Sequence, residues 1–189
     1  RLVITALGEP MAMKQAVVDA IGVAVDLIDM RKHEGQHPRM GAVDVVPFIP
    51  IKNVSMTEAI NISKDLAKEV SKKYGLPIFL YEKSATDIER QNLAAIRKGQ
   101  FEGMAEKVKD PRWKPDFGPQ DIHPTAGVTA VGARMPLVAF NVNLNTDDLG
   151  IANAIAHGVR HTNGGLRYCK AIGVALQERG IVQVSMNMT

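Results

Sequence analysis

The stretch from Val43 to Tyr81, VDVVPFIPIKNVSMTEAINISKDLAKEVSKKYGLPIFLY, decides the fold class of this 189-residue chain. Its first part, Val43–Ile51, is apolar and predicts a buried strand. Pro47 and Pro50 indicate that this strand lies at a sheet edge or that it ends there. Ser55 to Glu58 is a capping-box pattern that begins a helix, and Gly75 ends that helix. A second strand is predicted at Pro77–Tyr81. Strand, helix and strand in succession predict an α/β or α+β fold.

Strands and helices alternate on both sides of this stretch. Further strands are predicted at Leu2–Leu7, Val128–Gly132, Leu137–Leu144 and Val182–Met188, and Tyr168–Leu176 is either helix or strand. Helices are predicted over Val17 to Ile28, Arg90–Lys98 and Phe101–Lys107, and from Asp147 or Asp148 through His157. We expect two domains, residues 1–135 and 136–189, that meet at Pro136. The chain opens inside a strand and stops in an incomplete split β-α-β unit, so we expect it to be truncated at both ends.

Composition narrows the class of protein. Apolar residues make up 46% and charged residues 23% of the chain, as in globular proteins. No run of about 18 apolar residues is present, so we expect no membrane span. The single cysteine, Cys169, excludes an intrachain disulfide and fits a reducing cytoplasm.

The charge balance allows more than one class of partner. The net charge is +3, but aromatic residues make up only 5% and acidic residues are interspersed with the basic ones. Nucleic-acid binding would favour clustered basic and aromatic side chains, so we expect no nucleic-acid partner. A small acidic ligand is compatible with the same net charge.

Two histidine pairs have the spacing of metal ligands on a helix, His33 with His37 and His157 with His161. A glycine separates the first two histidines and a proline follows them, which argues against a helix. The second pair lies where a helix ends, and there the helix dipole stabilises a histidine. We therefore expect no metal site. Cys169 is expected to be buried and inert, and no Gly-x-Ser-x-Gly elbow or Walker loop is present.

The segment HPRMGAVD, His37–Asp44, has the residues of an acid–base site. Histidine is the side chain whose ordinary pKa lies near neutral pH, and Pro38 restricts the backbone of His37 to extended geometry. Arg39 suits a carboxylate clamp, Gly41 allows close approach of a ligand, and Asp44 could orient an imidazole. The alternative is that His37 is an ordinary turn residue and the prolines only end a strand. These residues alone favour neither interpretation.

A second candidate site is the loop Asp116–Gly127, DFGPQDIHPTAG. Its prolines and glycines brace it, while its polar groups could bind a polar heterocycle. Loops of this length and character are often functional. A plain surface connection remains the alternative.

The sequence resembles the formiminotransferase family from the segment HPRMGAVDVVPFIPI onward. Further segments match in the family's order: LIDMRKHEGQHPRMGA, AAIRKGQFEGM, WKPDFGP, GVTAVGARMPLVAFNVNL and VQVSMNM. The resemblance covers essentially the whole chain. It implies two ferredoxin-like α/β subdomains with antiparallel or mixed sheets, which meet near Arg134 to Pro136, and folate bound in the crevice between them.

The resemblance implies transfer of the formimino group of N-formimino-L-glutamate to tetrahydrofolate, which gives 5-formiminotetrahydrofolate and L-glutamate. Tetrahydrofolate is then a substrate, and the enzyme is a homodimer. From the residues themselves we expect a cytoplasmic protein without a metal or a membrane partner. Two alternatives remain: a 5-formyltetrahydrofolate–glutamate formyltransferase, which would share these residues, and a non-catalytic folate-binding protein.

The family's site residues map onto this chain position by position. The resemblance makes His37 the general acid–base and implies that a loop ending at Gly127 contacts folate. Arg39 is our candidate for binding a substrate carboxylate. The folate-contacting residues implied are Gly118, Pro119, Gln120, Asp121, Ile122, His123, Pro124, Thr125, Ala126 and Gly127.

Overall fold

A computed structural model describes residues 2–34 and 38–188 of the chain. The chain divides into two compact units, unit 1 (Arg1–Arg134) and unit 2 (Met135–Thr189). The fold is mixed α/β: unit 1 has a three-stranded parallel sheet and unit 2 a three-stranded antiparallel sheet. Within the described residues, no helix is both long enough and apolar enough to cross a membrane.

The elements follow one another as strands and helices in each unit. Those of unit 1 are α1 (Pro10–Leu27), β1 (Val45–Phe48), α2 (Met56–Tyr74), β2 (Ile78–Glu82), α3 (Leu93–Arg97), α4 (Gln100–Lys107) and β3 (Thr129–Ala133). Those of unit 2 are β4 (Val138–Leu144), α5 (Leu149–Val159), β5 (Cys169–Leu176) and β6 (Ile181–Met188). Short 3₁₀ helices lie at Met30–Lys32, Ile88–Gln91, Pro111–Trp113, His161–Asn163 and Gln177–Arg179.

Helix α2 begins and ends as its local sequence predicts. The Ser55 hydroxyl accepts a hydrogen bond from the Glu58 amide at 3.2 Å, and the Glu58 carboxylate accepts one from the Ser55 amide at 2.7 Å. This confirms the capping box. Gly75 ends the helix in the left-handed conformation, with φ of 66°. The inward face of α2 buries Leu66 and Val70 completely.

The sheet of unit 1 has the order β1-β3-β2, and all its strands are parallel. Side chains of β2 alternate between two apolar clusters, because Ile78 and Leu80 pack with residues of α1 and α2 on one face. On the other face Phe79 and Tyr81 pack against a cluster from α3, α4 and the preceding loop. Both faces are therefore covered, as is usual for parallel strands.

The wholly parallel sheet of unit 1 differs from the antiparallel or mixed sheet that we expected. Strand β3 lies between β1 and β2 and runs parallel to both, whereas the inserted strand of a ferredoxin-like unit runs antiparallel. The chain passes from β1 to β2 through α2 and from β2 to β3 through residues 83–128. Connections of this length permit parallel pairing, which a short hairpin does not.

The sheet of unit 2 has the order β4-β6-β5 and is antiparallel, as expected. Helix α5 packs on one face of it. A Cβ atom on Gly173 would lie 2.5 Å from the Asn153 side-chain oxygen, so the glycine allows α5 to approach β5 closely. The buried residues of this core are Ala152, Ala156, Ala171, Val182 and Val184.

Two predictions about strands need correction or completion. The strand predicted at Leu2–Leu7 is absent: no strand of the described chain pairs with these residues, and they are exposed. Without a partner, their amide groups have no sheet ladder to join. The segment left open at Tyr168–Leu176 is a strand, β5, because β6 pairs with it along Cys169–Leu176.

Other predicted boundaries move by a few residues. The strand expected over Val43–Ile51 is confined to β1, which lies at the edge of the described sheet, as Pro47 predicts. The helix expected over Arg90–Lys98 is divided into a 3₁₀ turn and the short α3. Asp148 caps α5, which extends past His157 to Val159.

Candidate functional site

The segment Pro38–Asp44 is held in place by backbone hydrogen bonds. The Met40 amide donates to the Asp44 carboxylate at 3.0 Å, and the Met40 carbonyl accepts from the Val128 amide at 3.1 Å. The Arg39 carbonyl accepts from the Phe101 amide at 2.9 Å. The segment is therefore tied both to the start of β3 and to the start of α4. His37 precedes it in the sequence and lies outside the described residues.

Two glycines join this segment to the predicted folate loop. Gly41 and Gly127 form an isolated antiparallel bridge, and the Ala42 amide donates to the Ala126 carbonyl at 2.9 Å. A Cβ atom on Gly127 would lie 2.3 Å from the Met40 carbonyl oxygen. A Cβ on Gly41 would be equally obstructed by backbone, so only glycine fits at either position. The fold thus brings together the two segments that sequence analysis selected separately.

The first half of the loop faces solvent. Gly118, Pro119, Gln120 and Asp121 are exposed, whereas Ile122 is half-buried and packs on the core of unit 1. Gly118 has φ of 91°, and a Cβ there would lie 2.5 Å from the Leu76 carbonyl. The Gln120 amide group donates to the Val108 carbonyl at 3.3 Å.

The second half of the loop is folded around His123. Its Nδ1 accepts a hydrogen bond from the Ala126 amide at 3.0 Å, which assigns the neutral ring's proton to Nε2. The Thr125 carbonyl accepts from the Met30 amide at 2.8 Å. Pro124 is exposed, Thr125 is half-buried, and Ala126 and Gly127 are buried. His123 therefore shapes the turn through Nδ1 and retains one donor at Nε2.

Arg39 already has a carboxylate partner within the chain. Its guanidinium donates to both oxygens of Glu102, at 3.0 and 2.5 Å, and to the His33 carbonyl at 2.8 Å. The hydrogen bond from Arg39 holds the pKa of Glu102 below its ordinary value. A substrate carboxylate that bound Arg39 would have to exchange with Glu102. The predicted role of Arg39 therefore stays a prediction.

Asp44 stabilises the backbone of the segment. One carboxylate oxygen accepts from the Met40 amide, and the other accepts from the guanidinium of Arg97. Arg97 lies at the end of α3, so this ion pair connects the segment to the helical layer of unit 1. His37 lies outside the described residues, so an orienting role of Asp44 for its imidazole stays a prediction.

A buried ion pair that sequence analysis did not find anchors the start of the loop. Arg90 and Asp116 lie 3.0 Å apart, with side chains only 9% and 8% exposed. Arg90 also donates to the carbonyls of Arg112 and Lys114 at 2.7 and 2.9 Å, and Asp116 accepts from the Leu80 amide at 2.8 Å. Both charged side chains therefore also form hydrogen bonds with the backbone, in addition to their ion pair. A single arginine within an irregular stretch shows no periodicity that would reveal such a role.

The Lys107 side chain caps the C-terminal end of α3. Its ammonium group donates to the carbonyls of Ala95 and Ile96 at 2.5 and 2.7 Å, and it lies 3.9 Å from the centre of the Trp113 ring. Burial, with a smaller contribution from the nearby charge of Lys98, lowers the pKa of Lys107 to about 8. The contacts connect α3, α4 and the loop that leads to Gly118.

The other candidate residues belong to unit 2. His157 is exposed in the last turn of α5, and His161 follows that helix. Cys169 is buried as a free thiol in β5. Within residues 2–34 and 38–188, no group of three or more histidine, cysteine, aspartate or glutamate side chains is arranged to hold a metal ion.

A surface cavity of about 350 Å³ lies elsewhere in unit 1, between the first turns of α1 and α2. Its lining includes Glu9, Glu58 and Asp65 but none of the predicted site residues. The Glu9 carboxylate caps α1 by accepting from the Met11 and Ala12 amides at 3.0 Å. Glu58 belongs to the capping box of α2. Glu9 and Glu58 therefore serve the helix ends.

Comparison with known proteins identifies the same family as the sequence motifs. The profile of the formiminotransferase domain, N-terminal subdomain, matches residues 1–134. A protein named glutamate formimidoyltransferase from Streptococcus pyogenes serotype M1 is 57% identical over 188 residues, which cover 100% of this chain and 63% of that protein.

Two further relatives also align along the whole chain. A glutamate formimidoyltransferase from Thermoplasma acidophilum is 40% identical, and the match covers 63% of that protein. A formimidoyltransferase-cyclodeaminase from Dictyostelium discoideum is 45% identical, and the match covers 36% of it. The chain therefore spans less than two thirds of the length of these curated relatives.

Proposed function

We propose, from the premise that this chain belongs to the formiminotransferase family, that its protein transfers the formimino group of N-formimino-L-glutamate to tetrahydrofolate. The products are 5-formiminotetrahydrofolate and L-glutamate. The observation that carries the proposal is the similarity, along the whole chain, to a relative named glutamate formimidoyltransferase. The junction between Gly41 and Gly127 supports it, because it joins the two segments that the reaction requires.

In the proposed mechanism His37 is the general acid–base. N5 of tetrahydrofolate attacks the formimino carbon, and a tetrahedral intermediate forms as a new carbon–nitrogen bond is made. His37 takes the proton from N5 and returns it to the glutamate nitrogen as the old carbon–nitrogen bond breaks. A histidine with a pKa near neutrality suits both steps and contributes about 10²–10⁴-fold to such rates. The remaining acceleration comes from holding two substrates together.

We assign folate binding to the loop Gly118–Gly127. Its exposed residues, from Gly118 to Asp121, and the Nε2 donor of His123 offer hydrogen bonds to a polar heterocycle. Arg39 remains our candidate for a substrate carboxylate, which would exchange with Glu102 because both anions require the same guanidinium edge. No metal takes part in the proposed steps.

The finer architecture is also a proposal. We assign unit 2 to a ferredoxin-like subdomain, because β6 is inserted between β4 and β5 and runs antiparallel to both, as in a split β-α-β unit. The described sheet of unit 1 lacks this pairing. A homodimer and a cytoplasmic location are the further expectations for the whole protein.

Transfer by a His37→Ala variant tests the mechanism. We expect the rate of formimino transfer in the full-length protein to fall about 10²–10⁴-fold, with folate affinity within a few fold of wild type. His33→Ala is the matched control, since that side chain is exposed and only its backbone carbonyl bonds Arg39. Wild-type turnover in His37→Ala would remove His37 as the proton carrier.

Assays of two donors side by side test the substrate class. Turnover with N-formimino-L-glutamate and tetrahydrofolate should exceed turnover with 5-formyltetrahydrofolate and glutamate, with product formation followed by absorbance. The reverse preference would identify a formyltransferase. Folate binding without turnover of either donor would identify a non-catalytic folate-binding protein.

A further inference from the structure

The turn between α3 and α4 holds both ends of the segment Pro38–Asp44. At one end of the segment, the Arg39 carbonyl accepts a hydrogen bond from the Phe101 amide at 2.9 Å. At the other end, the Asp44 carboxylate accepts one from the guanidinium of Arg97. Arg97 ends α3 and Phe101 lies in the first turn of α4, so one short connection contacts the segment at two points.

The backbone of this turn is strained. Gln100 has a positive φ of 54°, directly after Gly99 with φ of 97°. The left-handed region is unfavourable for a residue with a side chain, and such a conformation persists only where the surrounding structure enforces it. The Gln100 side-chain oxygen accepts from the Arg39 guanidinium at 3.2 Å. The contacts with the segment therefore help to enforce the strained turn.

Asp44 connects Arg97 to the backbone of the segment. One of its carboxylate oxygens accepts from Arg97 and the other from the Met40 amide at 3.0 Å. The side chains of Arg97 and Asp44 are 16% and 22% exposed, and partly buried ion pairs are screened less than exposed ones. The Asp44 carbonyl also accepts from the Ala130 amide of β3 at 3.1 Å. Arg97 therefore acts on the backbone at Met40 through Asp44.

Arg97 extends from a firmly packed support. Ile96, the residue before it, is completely buried. The Lys107 ammonium group donates to the carbonyls of Ala95 and Ile96, which fixes the end of α3 independently of the ion pair. A side chain on such a support imposes its position on Asp44, as residues that support a functional site must do.

Local energetics do not favour an arginine at this position. The Nε atom of Arg97 is buried and has no hydrogen-bond partner among the described residues. A buried donor without an acceptor costs stability. Methionine has an unbranched side chain without a polar donor and would avoid this cost. We attribute the arginine to the charge that it presents to Asp44.

We propose that Arg97 is a positioning residue for formimino transfer, which acts through Asp44 to fix the backbone of Pro38–Asp44. This inference rests on the proposed function, in which His37, the residue before this segment, carries the proton. A displacement of about 1 Å at a reacting group costs about 10²-fold in rate. Loss of Arg97 should therefore slow the chemical step more than it weakens substrate binding.

The test is Arg97→Met in the full-length protein, assayed with N-formimino-L-glutamate and tetrahydrofolate. We expect kcat to fall about 10–10²-fold, with both KM values within a few fold of wild type. Arg97→Lys should recover most of the lost kcat, because lysine keeps a positive charge and donors for Asp44. Circular dichroism at the assay temperature establishes that each variant is folded, and Arg97→Gln, with the same expected loss, replaces Arg97→Met if that variant is not.

Arg112→Met is the matched control. Arg112 also forms an ion pair with an aspartate, Asp110, but its side chain is 72% exposed. This variant should transfer the formimino group at the wild-type rate. A loss of kcat equal to that of Arg97→Met would mean that any lost arginine–aspartate pair of unit 1 has this effect, and would overturn the specific role of Arg97.

A double-mutant cycle with Asp44→Asn tests the route of the effect. Asparagine keeps an oxygen for the Met40 amide but presents no charge to Arg97. If Arg97 acts through Asp44, the double variant should lose about as much kcat as the slower single variant. Losses that multiply would overturn this route.

Other outcomes separate this inference from the proposed function. Wild-type kcat in folded Arg97→Met, a loss confined to KM, or no recovery in Arg97→Lys would overturn the positioning role and leave the proposed function standing. If the wild-type protein does not transfer the formimino group, the proposed function is wrong and the role of Arg97 in it is wrong as well.

Discussion

Gly127→Ala should open the junction between the two segments of the candidate site. The new Cβ would lie 2.3 Å from the Met40 carbonyl oxygen, far inside contact distance, and φ at this residue is 70°. Because the obstructing atom belongs to the backbone, no side-chain rotation relieves the overlap. The two segments must separate, which breaks the hydrogen bonds from Val128 to Met40 and from Ala42 to Ala126.

The magnitude follows from two contributions. A non-glycine residue in the left-handed region costs about 1–2 kcal/mol. Two lost hydrogen bonds cost about 1 kcal/mol each, so we expect Gly127→Ala to lower the free energy of unfolding by about 3–4 kcal/mol. Gly75→Ala is the control, because φ there is 66° but nothing lies within 4 Å of its Cβ. It should lose only the first contribution, about 1–2 kcal/mol.

Urea denaturation of both variants measures these free energies, and folate titration measures the site. We expect Gly127→Ala to weaken folate binding at a protein concentration and temperature where it is still folded, and Gly75→Ala to leave binding unchanged. Equal destabilisation by the two substitutions would refute the argument from backbone overlap. Unchanged folate affinity in Gly127→Ala would remove this junction from the binding site.

Three further predictions concern stability. Asp116→Asn leaves the buried Arg90 cation without its partner and should lower the free energy of unfolding by about 3 kcal/mol in urea denaturation; a loss below about 1 kcal/mol would contradict the buried pair. Ser55→Ala removes the cap that accepts the Glu58 amide and should cost about 1 kcal/mol by the same method, and no loss would mean that the capping box contributes nothing. Burial raises the pKa of Tyr81 to about 12. The native state therefore holds this proton after the unfolded state has lost it, so the free energy of unfolding should fall by about 1 kcal/mol between pH 10 and 11. Tyr81→Phe should lose this part of the pH dependence, and an unchanged slope in that variant would assign it to other groups.

The local elements were predictable where a signal lies within a few residues. The capping box at Ser55 and Glu58 and the glycine at 75 define α2 from both ends. Strict alternation predicted β6, which the structure has at Ile181–Met188. The segment Leu2–Leu7 shows the limit of such reasoning, because apolar composition creates a strand only when a neighbouring strand pairs with it.

The candidate site was predictable in its parts, and its assembly was not. Glycines and prolines marked both Pro38–Gly41 and Gly118–Gly127 as special backbone. Their meeting depends on the position of β3, whose first residues follow the loop directly. Arg90 gave no signal, since its partner Asp116 is distant in sequence and a charged residue is ordinarily exposed.

The sequence by itself determined the class of fold, the order of most elements and the family, because capping, alternation and motifs are local and additive along the chain. Only the tertiary structure decided that the strands of unit 1 are parallel, that Gly41 pairs with Gly127 and that Arg39 forms an ion pair with Glu102. Those outcomes depend on which distant surfaces pack together. Close packing and the pairing of buried polar groups select among arrangements that the same local elements would allow.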